Sequence, residues 1–410
     1  MGAVEGHASG ASLLTPMTSI RIARVATVPF FFLHHTAGQI PFLARAGHRV
    51  DLVCSRGPEC EPLAQIPGVR LVNIEIPRKI APVADAVALL RLYRLFRRGG
   101  YDVVHSNTPK AGLLCALAAR AAGVPIRLHT FTGQHWAEMR GPLRWISRSC
   151  DRLILALDTQ CYTDSASQRG YLISEGIGDE TSLRVLGAGS LAGADVSRWE
   201  GALANYRRAE TWAAHGVPQG IPLIVFVGRV TRDKGVVELI QAFKRVLAAG
   251  ADCFLLVVGP METAGDVELE RELADMRGNG RFRLTGYDPR PENILAIADV
   301  LCLPSYREGF GNVIIEAGVM GIPAVGTSIV GLTDSIVHSE TGLLVPPKNA
   351  PALADALLLL LRDKELRRRL GQAARERVLA LFDSTRVNGL VSLEYERLYA
   401  QRGGKHADAH

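Results

Sequence analysis

The chain has 410 residues, of which 48% are hydrophobic and 21% are charged. This balance is typical of a folded protein of two or three domains, and it excludes a disordered chain, a fibrous repeat and a small disulfide-stabilised protein. The net charge of +6 lies in the N-terminal half, because residues 1–200 hold 22 basic and 16 acidic residues whereas residues 201–410 hold 25 of each. This asymmetry predicts an anionic partner for one domain: a nucleic acid, a membrane surface or a phosphorylated substrate.

The seven cysteines include no CxxC pair, and several lie in apolar stretches. We therefore expect buried, reduced thiols, as in a cytoplasmic protein, and no metal site. Residues 1–19 lack a basic segment followed by an apolar core, so they predict a flexible extension rather than a signal peptide. No apolar run approaches the roughly 18 residues of a membrane-spanning helix. Any contact with a membrane is expected to be peripheral, on the inner face of the cell membrane.

In the N-terminal half, short apolar segments alternate with helical ones. Strands are predicted over residues 21–28, 48–54, 69–76, 101–107, 125–132 and 153–158, and helices over residues 40–48, 83–98 and 110–123. This alternation predicts a parallel sheet covered by helices on both faces.

The alternation breaks between residues 187 and 200 and restarts in the C-terminal half. Strands are predicted over residues 221–229, 252–260, 281–286, 299–305, 322–327 and 342–347, and helices over residues 236–250, 266–276, 291–298, from 312, 351–362, 364–380 and 392–402. The expected fold class is α/β, with two Rossmann-like, doubly wound domains that face a cleft. The expected boundaries are residues 20–200 for the first domain, 201–219 for a linker, 220–385 for the second domain and 386–410 for a helix that crosses back to the first.

One glycine pattern is a weak match to a dinucleotide-binding fingerprint. Gly187-Ala-Gly189-Ser-Leu-Ala192 has the right spacing, but the residues that follow do not read as a helix. Because the fingerprint needs a strand, a turn and a helix, we interpret the pattern as a hinge or an inter-domain loop.

Two cations are predicted at the end of the first strand of the second domain, in Gly228-Arg229 and Lys234-Gly235. An arginine can bind two phosphate oxygens at once, and a lysine supplies a mobile charge. The alternative is a pair of solvated surface cations.

The second element is Glu308-Gly-Phe-Gly-Asn-Val-Ile-Ile-Glu316, which follows another predicted strand. Gly309 and Gly311 let the backbone approach a ligand, and Asn312 stands where a helix should begin. Two carboxylates can accept hydrogen bonds from vicinal hydroxyls. The alternative, an acid at a helix N-terminus plus an exposed helical glutamate, does not explain the glycines. Tyr287, after the strand over 281–286, is a weaker candidate whose backbone could bind a base.

These elements, GRVTRDKG, EGFGNVIIE, GIPAVGT and TGLLVPP, strongly resemble the retaining GT-B glycosyltransferases of family 4. The resemblance covers nearly the whole chain beyond residue 20. It implies that Arg229 and Lys234 bind the diphosphate of a nucleotide-sugar, that Glu308 contacts the sugar and that Glu316 binds the ribose. The implied donor site, with Tyr287 added, comprises Gly228, Tyr287, Gly309, Phe310, Gly311, Asn312 and Glu316, beside Arg229, Lys234 and Glu308 as catalytic residues.

The N-terminal segments HSNTPKAGLL and AAGVPIRLHTFTG look like the subgroup that builds bacterial surface polysaccharides. The resemblance implies a UDP-hexose or UDP-N-acetylhexosamine donor, a lipid-diphosphate-linked glycan acceptor, and no metal or other cofactor. The sequence departs from the family at Thr132, where many members carry a histidine; His129, Gln134 and His135 lie nearby. The acceptor-side candidates are His35, Gly38, Lys110, Thr132 and His135.

Residues 84–100 interleave leucines and aromatics with four arginines. A basic amphipathic helix can lie on an anionic membrane, although an ordinary helix with a solvated arginine face has the same pattern. Nucleic acid is not expected as a partner, because no nucleic-acid-binding motif accompanies the charge.

Two other functions remain open from the sequence. One is a nucleotide-sugar epimerase on the same fold. The other is a non-catalytic partner that binds a nucleotide-sugar within a polysaccharide assembly, and Thr132 leaves room for it.

Overall fold

The computed structural model describes residues 19–204 and 208–403, so the expected extension lies outside the described residues except for Ser19. The described chain divides into two compact units. Unit 1 comprises residues 19–131, 140–162 and 388–403, and unit 2 comprises residues 132–139, 163–204 and 208–387.

The chain forms two sheets. The first has the strands β1 (Arg21–Val25), β2 (Arg49–Cys54), β3 (Val69–Asn73), β4 (Val103–Ser106), β5 (Ile126–Phe131), β6 (Gln160–Thr163) and β7 (Leu183–Arg184), in the order β3-β2-β1-β4-β5-β6-β7. The second has the strands β8 (Leu223–Val227), β9 (Phe254–Val258), β10 (Phe282–Gly286), β11 (Val300–Leu303), β12 (Ala324–Thr327) and β13 (Gly342–Val345), in the order β10-β9-β8-β11-β12-β13. All neighbours in the second sheet are parallel, as are β1 with β2 and β4, β2 with β3, and β4 with β5. The predicted Rossmann-like sheets are confirmed.

Seventeen α-helices are assigned within the described residues. They are α1 (Pro29–His35), α2 (Gln39–Arg45), α3 (Cys60–Ala64), α4 (Pro82–Gly99), α5 (Pro109–Ala122), α6 (Gly141–Leu157), α7 (Ala166–Ser174), α8 (Val196–Ala204), α9 (Arg208–Ala214), α10 (Val236–Ala248), α11 (Val267–Asp275), α12 (Pro291–Leu295), α13 (Asn312–Val319), α14 (Leu332–Ser335), α15 (Ala350–Arg362), α16 (Lys364–Leu381) and α17 (Ser384–Gln401).

One prediction of local structure was wrong. Residues 153–158, predicted as a strand, form the end of α6, with Ile154 buried and Leu153 exposed. Residues 29–35 form α1, because Pro29 suits the first turn of a helix and Phe31 and Phe32 pack inward. The expected linker over residues 201–219 includes helical residues of α8 and α9.

The C-terminal helix α17 contributes side chains to the interior of unit 1. The hydroxyl of Tyr395 lies 3.0 Å from Nη1 of Arg24 and 2.6 Å from Nδ1 of His105. Arg24 is fully buried and also donates to Asn107 over 2.9 Å. Since a buried cation requires such partners, α17 is part of the unit 1 core.

In unit 2, β8 has the sequence LIVFV, and four of its five residues are buried. The buried face of α10, which includes Val237, Ile240 and Phe243, packs into the same core. This packing sets the carboxyl ends of β8 and β11 side by side, at the point where the strand order reverses. Ligands bind at this edge in doubly wound sheets. All seven cysteines are free thiols, and five of them are buried.

Candidate active site

The two predicted cations lie at the carboxyl end of β8, where a short 3-10 turn (Arg232–Lys234) leads into α10. Gly235 ends this turn with φ +70°, and a Cβ there would overlap the carbonyl oxygen of Pro304. Only glycine permits this approach of the turn to the segment after β11. Lys234 spans the contact, with Nζ 2.5 Å from Oε1 of Glu308.

Arg229, Lys234 and Arg307, which we call the cation cluster, surround Asp233. Oδ2 of this carboxylate lies 3.8 Å from Nη2 of Arg229 and 3.3 Å from Nη2 of Arg307. Burial raises the pKa of Asp233, but a hydrogen bond from Thr231 and the three cations outweigh that effect and hold the pKa below its ordinary value. Arg229 lies closer still to Glu262, at 2.7 Å, and Lys234 bonds to Glu308. Each cation is therefore held beside an acid before any ligand arrives, as electrostatic stabilisation of a leaving anion requires.

The segment Glu308–Asn312, which we call the glycine turn, has a shape that only glycine allows. A Cβ on Gly309 would lie 2.8 Å from both Oδ2 of Asp164 and the carbonyl oxygen of Thr132. Gly311 has φ +79° and caps α13, while Phe310 is only 2% exposed. At its two glycines, the turn therefore presents only backbone atoms to a ligand.

Glu316 lies about one helical turn beyond Asn312 and is partly buried. Burial raises its pKa to about 7; Arg198 lowers this pKa and Glu292 raises it. Glu308, in contrast, accepts hydrogen bonds from Lys234 and from a serine. The two glutamates of the motif thus have different electrostatic surroundings.

Gly228 and Tyr287 lie at the same edge of the second sheet. The N–H of Gly228 donates to Val258 over 2.9 Å, and the N–H of Gly259 donates to Gly286 over 2.8 Å. These bonds align the ends of β8, β9 and β10. Tyr287 follows β10 and is 53% exposed.

The structure also brings Thr132 and His135 next to the glycine turn. Gly133 has φ +106°, and a Cβ there would lie 3.4 Å from the backbone nitrogen of Gly309. Partial burial, and then the charge of Arg307, lower the pKa of His135. Both residues belong to unit 2.

His129, one of the histidines near the departure at Thr132, has a structural role. Its Nδ1 lies 2.8 Å from Oγ of Ser106, and its ring packs against Gly112 inside unit 1. Burial lowers its pKa to about 3, so the ring is neutral.

The remaining acceptor-side candidates lie in unit 1. His35 is exposed at the end of α1, and Gly38 precedes α2 and lies near Asn388. Lys110 forms an ion pair with Asp85 over 2.6 Å, which joins α5 to α4. Lys110 belongs to unit 1, and the glycine turn belongs to unit 2.

Sequence reasoning missed Asp164 and the role of the pattern at residues 187–192. Gly189 has φ +102°, and a Cβ there would lie 2.5 Å from the carbonyl oxygen of Asp164 and 3.3 Å from the ring of Phe310. The next residue, Ser190, donates from Oγ to Oδ1 of Asn312 over 3.3 Å. Close packing beneath the glycine turn therefore explains this glycine. Nothing in the sequence signals Asp164.

Within residues 19–204 and 208–403, no group of three or more His, Cys, Asp or Glu side chains is arranged to hold a metal ion.

Comparison with known proteins identifies the family. Residues 208–377 match the family described as Glycosyl transferases group 1, and residues 34–189 match the Glycosyl transferase 4-like domain. The chain is 31% identical over 347 residues to the capsular polysaccharide biosynthesis glycosyltransferase CapM of Staphylococcus aureus, covering 85% of this chain and 89% of the relative. It is 24% identical to the Escherichia coli UDP-Gal:alpha-D-GlcNAc-diphosphoundecaprenol alpha-1,3-galactosyltransferase, covering 85% and 90% of the two chains.

The crystal structure of Anabaena HepE in complex with UDP-glucose has the same fold. The TM-score is 0.74 at 17% identity, covering 93% of this chain and 100% of that one. The GT-B fold expected from the sequence is thereby confirmed. With its two Rossmann-like sheets, the paired cations and the glycine turn, the chain belongs to the group 1 glycosyltransferases and is a glycosyltransferase enzyme.

Proposed function

We propose that this enzyme transfers a hexose or N-acetylhexosamine from a UDP-sugar to a hydroxyl of a lipid-diphosphate-linked glycan, with retention of configuration and without a metal ion or other cofactor. The product would enter a surface polysaccharide. The observation that carries the proposal is the contact between the cation cluster and the glycine turn through Lys234 and Glu308.

The cation cluster suits the diphosphate of the donor. Arg229 can bind two phosphate oxygens, and Lys234 lies beside the carboxylate assigned to the sugar. As the glycosidic bond breaks, negative charge develops on the β-phosphate, and cations at fixed positions stabilise it without reorganisation. The UDP-glucose bound to HepE supports a UDP-sugar as donor.

The glycine turn and Glu316 suit the rest of the donor. The backbone N–H groups of Gly311 and Asn312 lie at the N-terminus of α13, and N–H groups at such a position bind phosphate or sugar oxygens. Glu316 lies further along the same helix, where its carboxylate can accept from both ribose hydroxyls.

Retention needs no side-chain base on the route that we propose. The bond from the anomeric carbon to the β-phosphate oxygen breaks through an oxocarbenium-like state. The acceptor oxygen bonds to the anomeric carbon from the same face, and its proton passes to a phosphate oxygen of the departing UDP. Threonine at position 132 is compatible with this route.

The acceptor is proposed from the relatives. The E. coli relative is named for a GlcNAc-diphosphoundecaprenol acceptor, and the S. aureus relative for capsular polysaccharide biosynthesis. An acceptor of this kind is anchored in a membrane, so the enzyme must meet that surface.

The helix that the sequence suggested for membrane contact, α4, turns much of its apolar side inward. Leu92 and Phe96 are buried in the core of unit 1. The exposed apolar residues of α4 are Val83, Val87 and Leu90, on the side that also carries exposed arginines. No helix in the described part of the chain is both long and apolar enough to cross a membrane.

A second helix of unit 1, α6, offers a stronger membrane surface. Its exposed apolar residues are Trp145 (67%), Leu143 (60%), Ile146 (48%) and Leu153 (41%). Trp145, Ile146 and Leu153 share one helix face, which points away from the buried Ile154. The helix also carries three arginines, at positions 144, 148 and 152, against one buried acid. We propose that this face lies on an anionic membrane.

Replacing Trp145 and Ile146 together by serine is expected to weaken binding to phosphatidylglycerol-containing vesicles by about tenfold or more, because each buried apolar side chain contributes about 1.5–3 kcal/mol. Vesicle co-sedimentation measures the change, with pure phosphatidylcholine as the uncharged reference. The control is Val83→Ser on α4, which removes an apolar residue that is 81% exposed on a different helix. Unchanged vesicle binding by the double variant would refute the proposal that α6 binds the membrane. The proposal would also fail if the wild type self-associates and the double variant does not, because the apolar face would then be a contact between copies of the chain.

The function itself is tested by donor binding across UDP-, GDP-, ADP- and TDP-sugars without divalent metal. We expect saturable binding of one UDP-sugar that Arg229→Ala and Glu316→Ala abolish, followed by turnover on a membrane lipid extract. Binding by no nucleotide-sugar to the folded protein would refute the donor site. Binding without turnover on any lipid acceptor would favour a non-catalytic partner, and interconversion of the sugar without an acceptor would favour an epimerase.

A further inference from the structure

Asp164 packs against the glycine turn although no motif includes it. It directly follows β6, belongs to unit 2 and is 7% exposed. Its Oδ2 lies so close to Gly309 that a Cβ there would be only 2.8 Å away. Asp164 is thus in contact with the backbone that we assign to the donor sugar.

The same residue connects the glycine turn to two further loops. Its carbonyl oxygen accepts from the N–H of Ser190 over 2.7 Å, and Ser190 in turn bonds to Asn312. Its N–H donates to Oε1 of Gln168 over 2.9 Å, and Nε2 of Gln168 donates to Oε1 of Gln134 over 3.0 Å. Asp164 therefore lies where the loops that carry Gln134, Ser190 and Gly309 meet.

Two buried polar atoms in this group have no hydrogen-bond partner among the described residues. They are Oδ1 of Asp164 and Nε2 of Gln134, a residue that is only 4% exposed. Buried polar atoms without partners destabilise a fold, so each one calls for an explanation. A buried carboxylate without a cation would cost more than the neutral acid, and no ion pair with Asp164 occurs in the described residues.

We propose that Asp164 is a positioning residue for the donor, which holds the glycine turn as the neutral carboxylic acid and releases it when it ionises. The inference rests on the proposed function, since the glycine turn is assigned there to the donor sugar. Asp164 acts through Gly309 and Asn312 and does not itself touch the reacting atoms.

The charges around Asp164 do not favour its ionisation. The glycine turn brings Glu308, α14 brings Asp334 beside the N-terminus of α7, and the loop over residues 132–136 brings His135. The same segments carry two cations, Arg169 on α7 and Arg307 directly before the glycine turn. The loop over residues 187–192 has no titratable side chain. Burial alone raises the pKa of Asp164 to about 8. The carboxyl is therefore mostly neutral near neutral pH and becomes an unpaired, buried anion above about pH 8.

The test compares wild type with Asp164→Asn, which has the same shape and cannot ionise. Amide hydrogen exchange of residues 308–312 is measured for both proteins at about pH 6.5 and about pH 9. Because only the wild type ionises, the ratio of its exchange rate to that of the variant is expected to rise about tenfold between these values. A ratio that stays constant would overturn the proposal.

Donor binding supplies the second measurement. The affinity of wild type for the UDP-sugar should fall between about pH 7.5 and pH 9, whereas that of Asp164→Asn should not. The control is Asp158→Asn in unit 1, since Asp158 is partly buried, has a buried oxygen without a partner and has a pKa raised to about 8. If Asp158→Asn removes the alkaline loss, or Asp164→Asn retains it, the proposal is wrong. If no nucleotide-sugar binds either protein, the proposed function fails, while the exchange ratio still decides the role of Asp164 in holding the turn.

Discussion

Replacing Lys234 by alanine is expected to lower kcat/KM for the donor by about 10³-fold, the upper range for removal of one group that stabilises a developing oxyanion. Lys234 Nζ lies 2.5 Å from Oε1 of Glu308, and both side chains are mostly buried. The substitution removes a charge that is already in place before the diphosphate departs. Initial rates over a series of donor concentrations, with lipid-linked acceptor in excess, measure the effect.

The same substitution leaves Glu308 without its cation, which would lower activity by distorting the glycine turn. The double variant Lys234→Ala/Glu308→Gln separates these causes, because it restores a neutral partner. The reference is the single variant Glu308→Gln, which keeps Lys234. If Lys234 acts on the diphosphate, the double variant has a kcat/KM well below that of Glu308→Gln, although it recovers resistance to urea. Equal kcat/KM values for the double variant and Glu308→Gln would show that Lys234 only holds Glu308 in place.

Lys244 on α10 provides the matched control. Its Nζ lies 2.6 Å from Glu272 and 3.1 Å from Asp275, so it also bridges acids in unit 2. Lys244→Ala is expected to lower stability while changing kcat/KM by only about twofold, since solvated pairs contribute about 1 kcal/mol or less. If Lys244→Ala lowers kcat/KM as much as Lys234→Ala does, loss of either ion pair disables the enzyme. That result would refute a specific role of Lys234 at the diphosphate.

The sequence predicted the parts of the site that depend on the end of a single strand. Arg229 and Lys234 follow β8, and Glu308 follows β11. Because parallel strands end at one edge of the sheet, their order along the chain was enough to place them together. Gly235 explains why the second glycine of the motif is needed, since it alone allows Lys234 to reach Glu308.

Predictions failed where a short apolar run fits two structures equally well. The run LILAL at residues 153–157 is as compatible with the end of a helix as with a buried strand, and α6 continues through it. In α4 the arginines were correctly placed on a helix, but periodicity did not tell which apolar residues face the core. The exposed apolar face of α6 became visible only when the burial of each residue was known.

Asp164 could not be found from the sequence at all. Its place in the site depends on three loops from distant parts of the chain, which carry Gln134, Ser190 and Gly309. No spacing rule relates these positions. The glycine pattern at residues 187–192 was the one local sign of close packing there, and its partner was unknown without the structure.

Affinity for the UDP-sugar is expected to fall as the pH drops below about 7, by up to tenfold per pH unit, because Glu316 then becomes protonated. Burial raises the pKa of Glu316 to about 7, Arg198 lowers it and Glu292 raises it. In the proposed donor site the carboxylate of Glu316 accepts from both ribose hydroxyls, so the protonated acid should bind the nucleoside less well. Titration calorimetry with the intact UDP-sugar at several pH values measures this dependence.

Two substitutions test whether Glu316 is the group that titrates. Glu316→Gln should bind about 10²-fold more weakly than wild type at about pH 8 and show no acid loss, because hydrogen bonds to a charged group contribute about 1.5–3 kcal/mol each. Glu292→Gln removes a charge that raises the pKa of Glu316, so the acid loss should move to lower pH while the affinity above it is retained. An acid loss that persists in Glu316→Gln would assign the titration to another group. Ionisation of Asp164 is expected to weaken binding at the alkaline end of the pH range. Glu316→Gln should therefore remove only the acid loss of affinity, and Asp164→Asn should remove only the alkaline loss.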